Sequence, residues 1–98
     1  MIRVLYHWRV AAEDFEAFTD IWRATTDHIH ASVPGALGSF MLRSEQDPSL
    51  VMTVARWESR EAWEAFWGRQ NPPQMQRMRE LGERLAVEVF DEIGDHTR

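Results

Sequence analysis

Apolar and polar residues alternate from Ile2 to Val10. Ile2, Val4, Tyr6, Trp8 and Val10 fall on one side, and Arg3, Leu5, His7 and Arg9 on the other. This period of two predicts a strand. From Ala12 to about Ala31 the period changes. Phe15, Phe18, Trp22, Thr25 and Ile29 recur at three- and four-residue steps, the stripe of an amphipathic helix. Glu13, Asp14 and Glu16 near its start suit the positive end of the helix dipole. Pro34-Gly35 stops the helix and turns the chain.

Gly38 to Ser44 predicts a second strand and Leu50 to Trp57 a third. The short turn Gln46-Asp47-Pro48-Ser49 between them makes a hairpin. Ser59 is a good N-cap for a short helix with its apolar side at Ala62, Trp63 and Phe66. Gly68 and Pro72-Pro73 interrupt this helix. Asn71 or Pro72 opens a third helix, with Met75, Met78, Leu81 or Gly82, and Leu85 along one side. Ala86 to Ile93 alternates again and predicts the fourth strand. The order is β-α-β-β-α-β, the α+β ferredoxin-like plan: a four-stranded antiparallel sheet with its helices on one face.

On this assignment Val4, Tyr6, Trp8, Thr53, Ala55, Val87 and Val89 face the helices. The opposite face still carries Leu5, Met52, Val54 and Phe90, with Phe40 or Met41 from the hairpin. A sheet apolar on both faces, with helices for one, needs a second cover. A homodimer packed through the bare sheet face is the simplest.

Composition narrows the function. The 98 residues form one expected domain over 1–98, with a frayed tail at 94–98. No apolar run suits a membrane span. Without cysteine there is neither a disulfide nor a Cys-based zinc site, which suits a cytoplasmic protein. The net charge of −5 argues against a nucleic-acid partner. All 11 basic side chains of the Lys+Arg class are Arg. Five Trp and five Phe either build a small core or line a slot for a flat aromatic ligand. No Gly-x-Gly-x-x-Gly, Walker loop or nucleophile elbow is present, so flavin, nicotinamide and nucleotide chemistry find no support, and no cofactor is expected.

The run Val54-Ala55-Arg56-Trp57-Glu58-Ser59-Arg60-Glu61-Ala62-Trp63 resembles the Trp-x-Ser-x-Glu-Ala pattern of the antibiotic biosynthesis monooxygenase (ABM) family. The Pro34-Gly35-Ala36-Leu37-Gly38 turn, the opening strand and the helix with Phe15, Phe18 and Trp22 also resemble it. The resemblance spans roughly Ile2 to Ile93 and rests on order and spacing. It implies a dimeric α+β barrel and a pocket in each subunit between sheet and helices. Members include cofactor-free oxygenases of polyphenols and quinols, and haem-degrading oxygenases. The position nine residues after the Trp, often His in quinol-oxidising members and Trp in haem degraders, is Phe66 here. Haem degraders also carry Asn late in strand one, where this chain has Trp8. They carry a ligating His where it has Gln76, Arg77 and Met78, which disfavours haem.

The resemblance thus implies a monooxygenase acting on a small phenolic or hydroquinone-like aromatic. A non-catalytic ligand-binding or accessory dimer is the alternative, favoured by Phe66, which offers neither acid nor base. Tyr6 and Trp8 are either core or pocket donors; each has a polar tip that wants a partner when buried. His28 lies nearer the apolar stripe and is either the proton acceptor of the pocket or a solvated His that the helix C-terminus favours through its dipole. As a metal pair, His28 and His30 diverge by about 200° around the helix. Trp22, Trp63, Phe66, Trp67 and Met78 complete the expected lining. Trp57 reads mainly as the residue that seats strand three on the helix. His7 points to the expected dimer face. Arg43 and Arg56 are expected to pair with acidic residues such as Glu88.

Overall fold

The computed structural model of the chain describes residues 1–69 and 73–97. Strand β1 (Ile2–Arg9) is followed by a 3-10 turn at Ala12–Asp14 and helix α1 (Phe15–Ser32). Strands β2 (Ala36–Arg43) and β3 (Leu50–Trp57) form the hairpin. Helices α2 (Arg60–Arg69) and α3 (Pro73–Leu81) then lead to β4 (Glu83–Asp91). The four strands pair antiparallel in the order β2-β3-β1-β4.

Register separates the two faces. Tyr6 lies between Thr53 and Val87, and Val4 between Ala55 and Val89. These residues face the helices. Ile2, Val4, Tyr6, Trp8 and Val10 are all buried, together with Phe18 from α1 and Met75 and Met78 from α3. Trp8 meets the edge of Phe18 at 5.2 Å between ring centroids, an arrangement the ring quadrupoles favour.

Local chemistry fixes the corners. Ser59 Oγ accepts the Ala62 N–H at 3.1 Å and caps α2. Gly35 has φ 87°, and a Cβ there would meet Ala62 Cβ at 2.7 Å. Only glycine gives both the left-handed turn and the close approach of this turn to α2. Its carbonyl accepts the Glu58 N–H at 2.9 Å.

Several sequence boundaries move. Helix α2 runs through Gly68 to Arg69. One glycine costs a helix only about 1 kcal/mol, too little to end it here. The expected opening of α3 at Asn71 or Pro72 lies outside the described residues. Helix α3 stops at Leu81, where the Gly82 N–H bonds the Met78 carbonyl at 2.9 Å. A Cβ at Gly82 would come within 3.0 Å of Phe18 and 3.1 Å of Val10, so the chain turns tightly against the core there. Strand β4 therefore begins at Glu83, earlier than the expected Ala86, and ends at Asp91, not Ile93. Leu85 belongs to β4 and not to the apolar side of α3. It is the extra residue where the β1–β4 register shifts, Trp8 pairing with Arg84 and His7 with Ala86. Strand β2 begins at Ala36, ahead of the expected Gly38, and carries its own irregularity between Ala36 and Ser39.

Among the described residues the outer face has no helix. Phe40 and Leu42 lie opposite Val54 and Met52, which settles the hairpin choice: Phe40 is outside, and Met41, opposite Thr53, is inside. Phe40, Leu42 and Phe90 are 45%, 48% and 49% exposed. A charged frame surrounds this patch. His7 Nε2 and Glu88 Oε1 are 2.7 Å apart. Glu92 accepts from Arg3 at 2.7 Å and from Arg56 at 2.8 Å, and these two guanidiniums hold its carboxyl below the usual range. Arg56 thus pairs with Glu92 and not with Glu88. Arg43 lies over the Phe15 ring at 4.4 Å, a cation–π contact in place of the expected ion pair. Among the described residues no helix is long and apolar enough to cross a membrane.

Candidate functional site

A cavity lies between the sheet and α1. Its floor is Tyr6 and Trp8 of β1, Thr53, Ala55 and Trp57 of β3, and Ala36 and Ser39 of β2. Trp22, Thr25, Thr26, Ile29 and His30 of α1 form the roof, and Phe66, Met75 and Met78 close the end. It offers about 60 Å³ to the centres of water molecules, where one water needs roughly 10–15 Å³. Because a centre approaches a wall only to about 1.4 Å, the hollow between the side chains is several times larger.

Tryptophans brace this floor. Trp8 Nε1 donates to Thr53 Oγ1 at 3.2 Å, Trp22 Nε1 to Ser39 Oγ at 3.0 Å, and Trp63 Nε1 to the Tyr6 hydroxyl at 3.1 Å. Each indole N–H can only donate, so each hydroxyl oxygen accepts. Behind them Trp63 stacks on Trp67 at 5.6 Å, and Tyr6 tilts against Trp67 at 5.7 Å. Trp57 packs on Phe66 at 5.3 Å.

Electrostatics decide what each group can do. Burial pushes the Tyr6 phenol up to about 12, against the opposing pull of the Trp63 hydrogen bond and the Arg84 charge. Tyr6 therefore stays neutral and acts as a donor, not as a base. Arg84 lies over Trp67 at 4.8 Å, and its Nη1 is buried without a partner among the described residues. Burial, helped by the nearby charge of Arg79, lowers its pKa, and Tyr6 opposes this. Thr25 Oγ1 is the other buried side-chain atom without a partner among the described residues.

The structure brings Tyr6, Trp8, Trp22, Phe66 and Met78 together around the cavity. Trp63 and Trp67 stand behind Tyr6 and hold it, outside the lining. His28 is not in the lining either. It is exposed on α1, and its backbone carbonyl accepts from Ser32 Oγ. His30, also exposed, lies in the cavity lining instead. Being two residues apart sends the rings about 200° apart, so the helix presents one or the other. The Trp22–Thr25–Ile29 side turns His30 toward the rim. Sequence reasoning also missed Thr25, Ser39 and Thr53 as polar lining. The inward strand alternation carried the signal for Thr53, and the apolar stripe carried it for Thr25.

The family model for antibiotic biosynthesis monooxygenase matches residues 1–81. The chain belongs to this family. A point variant of SnoaB, a cofactor-independent oxygenase from Streptomyces nogalater, shares the fold of this chain, with a TM-score of 0.77 and 17% identity. That alignment covers 99% of this chain and 97% of SnoaB. Rv0793 from Mycobacterium tuberculosis aligns with a TM-score of 0.70 and 18% identity, over 98% of each chain. No curated protein matches the sequence. The ABM family places this chain among monooxygenases, and the low identities leave its site to be read from its own residues.

Proposed function

We propose that the protein is a monooxygenase of the ABM type that oxidises a phenolic or hydroquinone-like aromatic with O2. The observation that supports this best is the lining itself. Aromatic side chains line a cavity with one imidazole, His30, at its rim. The other ionisable lining groups are the neutral Tyr6 and Arg56, whose guanidinium is bound to Glu92.

The reaction asks little of the chain. His30 takes the phenolic proton, which leaves an electron-rich anion. The anion passes an electron to O2, the radical pair closes a C–O bond, and a proton returns to the distal oxygen as O–O cleaves and water leaves. For a hydroquinone the balance is hydroquinone plus O2 giving hydroxyquinone plus water. The substrate supplies all four electrons, and one oxygen atom is retained. The walls exclude bulk water from the intermediates, and Tyr6 and its neighbours donate to the oxygen that gains charge.

A homodimer through the outer sheet face belongs to the same proposal. The exposed Phe40, Leu42 and Phe90 support it, since such a patch needs a cover. Phe66 supports a second reading, a dimer that binds an aromatic without oxidising it. Phe66 packs on Trp57 within the lining and offers neither acid nor base there. Oxygen-electrode traces with a panel of dihydroxyaromatics separate the two. Enzyme-dependent uptake supports oxidation, whereas binding without uptake across the panel leaves only the ligand-binding reading.

A further inference from the structure

The hydroxyl groups around the cavity are unevenly satisfied. Tyr6, Ser39 and Thr53 each accept an indole N–H, and none of the three donates its own hydrogen to a protein acceptor among the described residues. Thr25 is 2% exposed, and its Oγ1 has no partner at all among them. All four line one cavity. No Asp, Glu, Asn or Gln side chain lines it among the described residues, and the one imidazole in the lining, His30, sits at the rim, so the hydroxyls outnumber the side-chain groups that could take their hydrogens. An indole N–H held against a hydroxyl oxygen also polarises its O–H and makes it a better donor. A buried donor without an acceptor is costly. The cavity therefore has a surplus of donors that the fold does not use.

We propose that Tyr6, Thr25, Ser39 and Thr53 form a donor set that selects ligands with acceptor oxygens. The ligand class is an aromatic ring bearing carbonyl or phenolate oxygens, such as a quinone or a keto-phenol. A bare hydrocarbon of the same shape leaves the donors unpaired and binds more weakly. The proposal rests on the cavity being the aromatic site proposed above, and it names what that site reads. It assigns Thr25 and Ser39 as specificity-determining residues.

The test is calorimetric titration of the intact protein with 1,4-naphthoquinone and with naphthalene, which share a ring frame. The chain has neither cysteine nor lysine, so the quinone meets no side-chain thiol or primary amine to which it would add. Thr25→Val removes a hydroxyl that has no partner among the described residues, and Ser39→Ala removes one on the half-buried β2 edge. Thr53→Val is less useful because it also strands the buried Trp8 N–H. The ratio of quinone to naphthalene affinity is expected to fall about three- to tenfold in each variant, one neutral hydrogen bond's worth. Naphthalene affinity is expected to stay unchanged. If both compounds bind and neither variant alters the ratio, the donor set is overturned while the aromatic site survives. If neither compound binds the wild-type protein, the site and the donor set fall together.

Discussion

Replacing Thr25 by Val is expected to stabilise the protein. The side chain is buried, its Oγ1 has no partner among the described residues, and it sits on the cavity roof in α1. Valine keeps the branched shape and puts a methyl where the hydroxyl was, so no protein hydrogen bond is lost. A buried, unpaired hydroxyl costs about 1–3 kcal/mol. Thr and Val have nearly equal helix propensities, so the backbone contributes little to the difference. The open rim of the cavity lets water soften the penalty, which favours the lower end, about 1 kcal/mol. In a chain of this size that raises Tm by about 4–8 °C. Urea unfolding followed by tryptophan fluorescence measures it, with both proteins at one concentration because a dimer couples stability to concentration. The slope with denaturant is expected to stay the same while the midpoint rises. A loss of about 1 kcal/mol or more would refute the reasoning, since it would mean that Oγ1 makes a bond worth keeping. Gained stability with weakened quinone binding is the pattern expected of a residue kept for ligand recognition.

Other outcomes follow from the same geometry. His30→Gln is expected to lower kcat at least about a hundredfold with ligand affinity kept, while His28→Gln leaves turnover unchanged; steady-state kinetics on both variants decide this. Tyr6 links stability to alkaline pH. Its folded pKa, about 12, lies above the unfolded value of 10.0. Its contribution is therefore fully present below pH 10 and lost as pH rises toward 12, about 2–3 kcal/mol in all. Stability measured against pH should show a steeper alkaline fall for wild type than for Tyr6→Phe. Glu92 works in the opposite direction. Its pKa is lowered, so its contribution is present above the unfolded value of 4.5 and lost as pH falls below it; Glu92→Gln should flatten the acid limb of the same profile. Finally, Leu42→Asp on the outer face is expected to convert the dimer to monomer in light scattering, while an unchanged mass would contradict the proposed interface.

Much of this molecule was legible in its periodicities. Strand β1 could be assigned to one face residue by residue, because its own alternation runs unbroken from Ile2 to Val10. Ser59 and Gly35 marked their corners through local chemistry. The start of β4 was hidden because Leu85 satisfies both a helical stripe after Met78 and a strand alternation before Val87. Only the tertiary pairing of Arg84 with Trp8, and the bulge it forces, decides between them. Among the site residues, Tyr6 and Trp8 were visible as inward polar-tipped aromatics. The exchange of His28 for His30 was not, because a helix stripe fixes angle only to within a residue, and the roll of α1 against β2 selects which ring meets the cavity. Ser39 was out of reach for a similar reason. Its inward position depends on the β2 irregularity after Ala36, which shifts the alternation.

The claim on which the rest depends is that substrate is oxidised in the cavity beneath α1. Turnover under 18O2, with product analysed by mass spectrometry for wild type and His30→Gln, tests it most directly. One labelled oxygen atom per wild-type product, with the yield collapsing in His30→Gln, is the expected result. Label incorporation that His30→Gln leaves intact, or product without label, would contradict it.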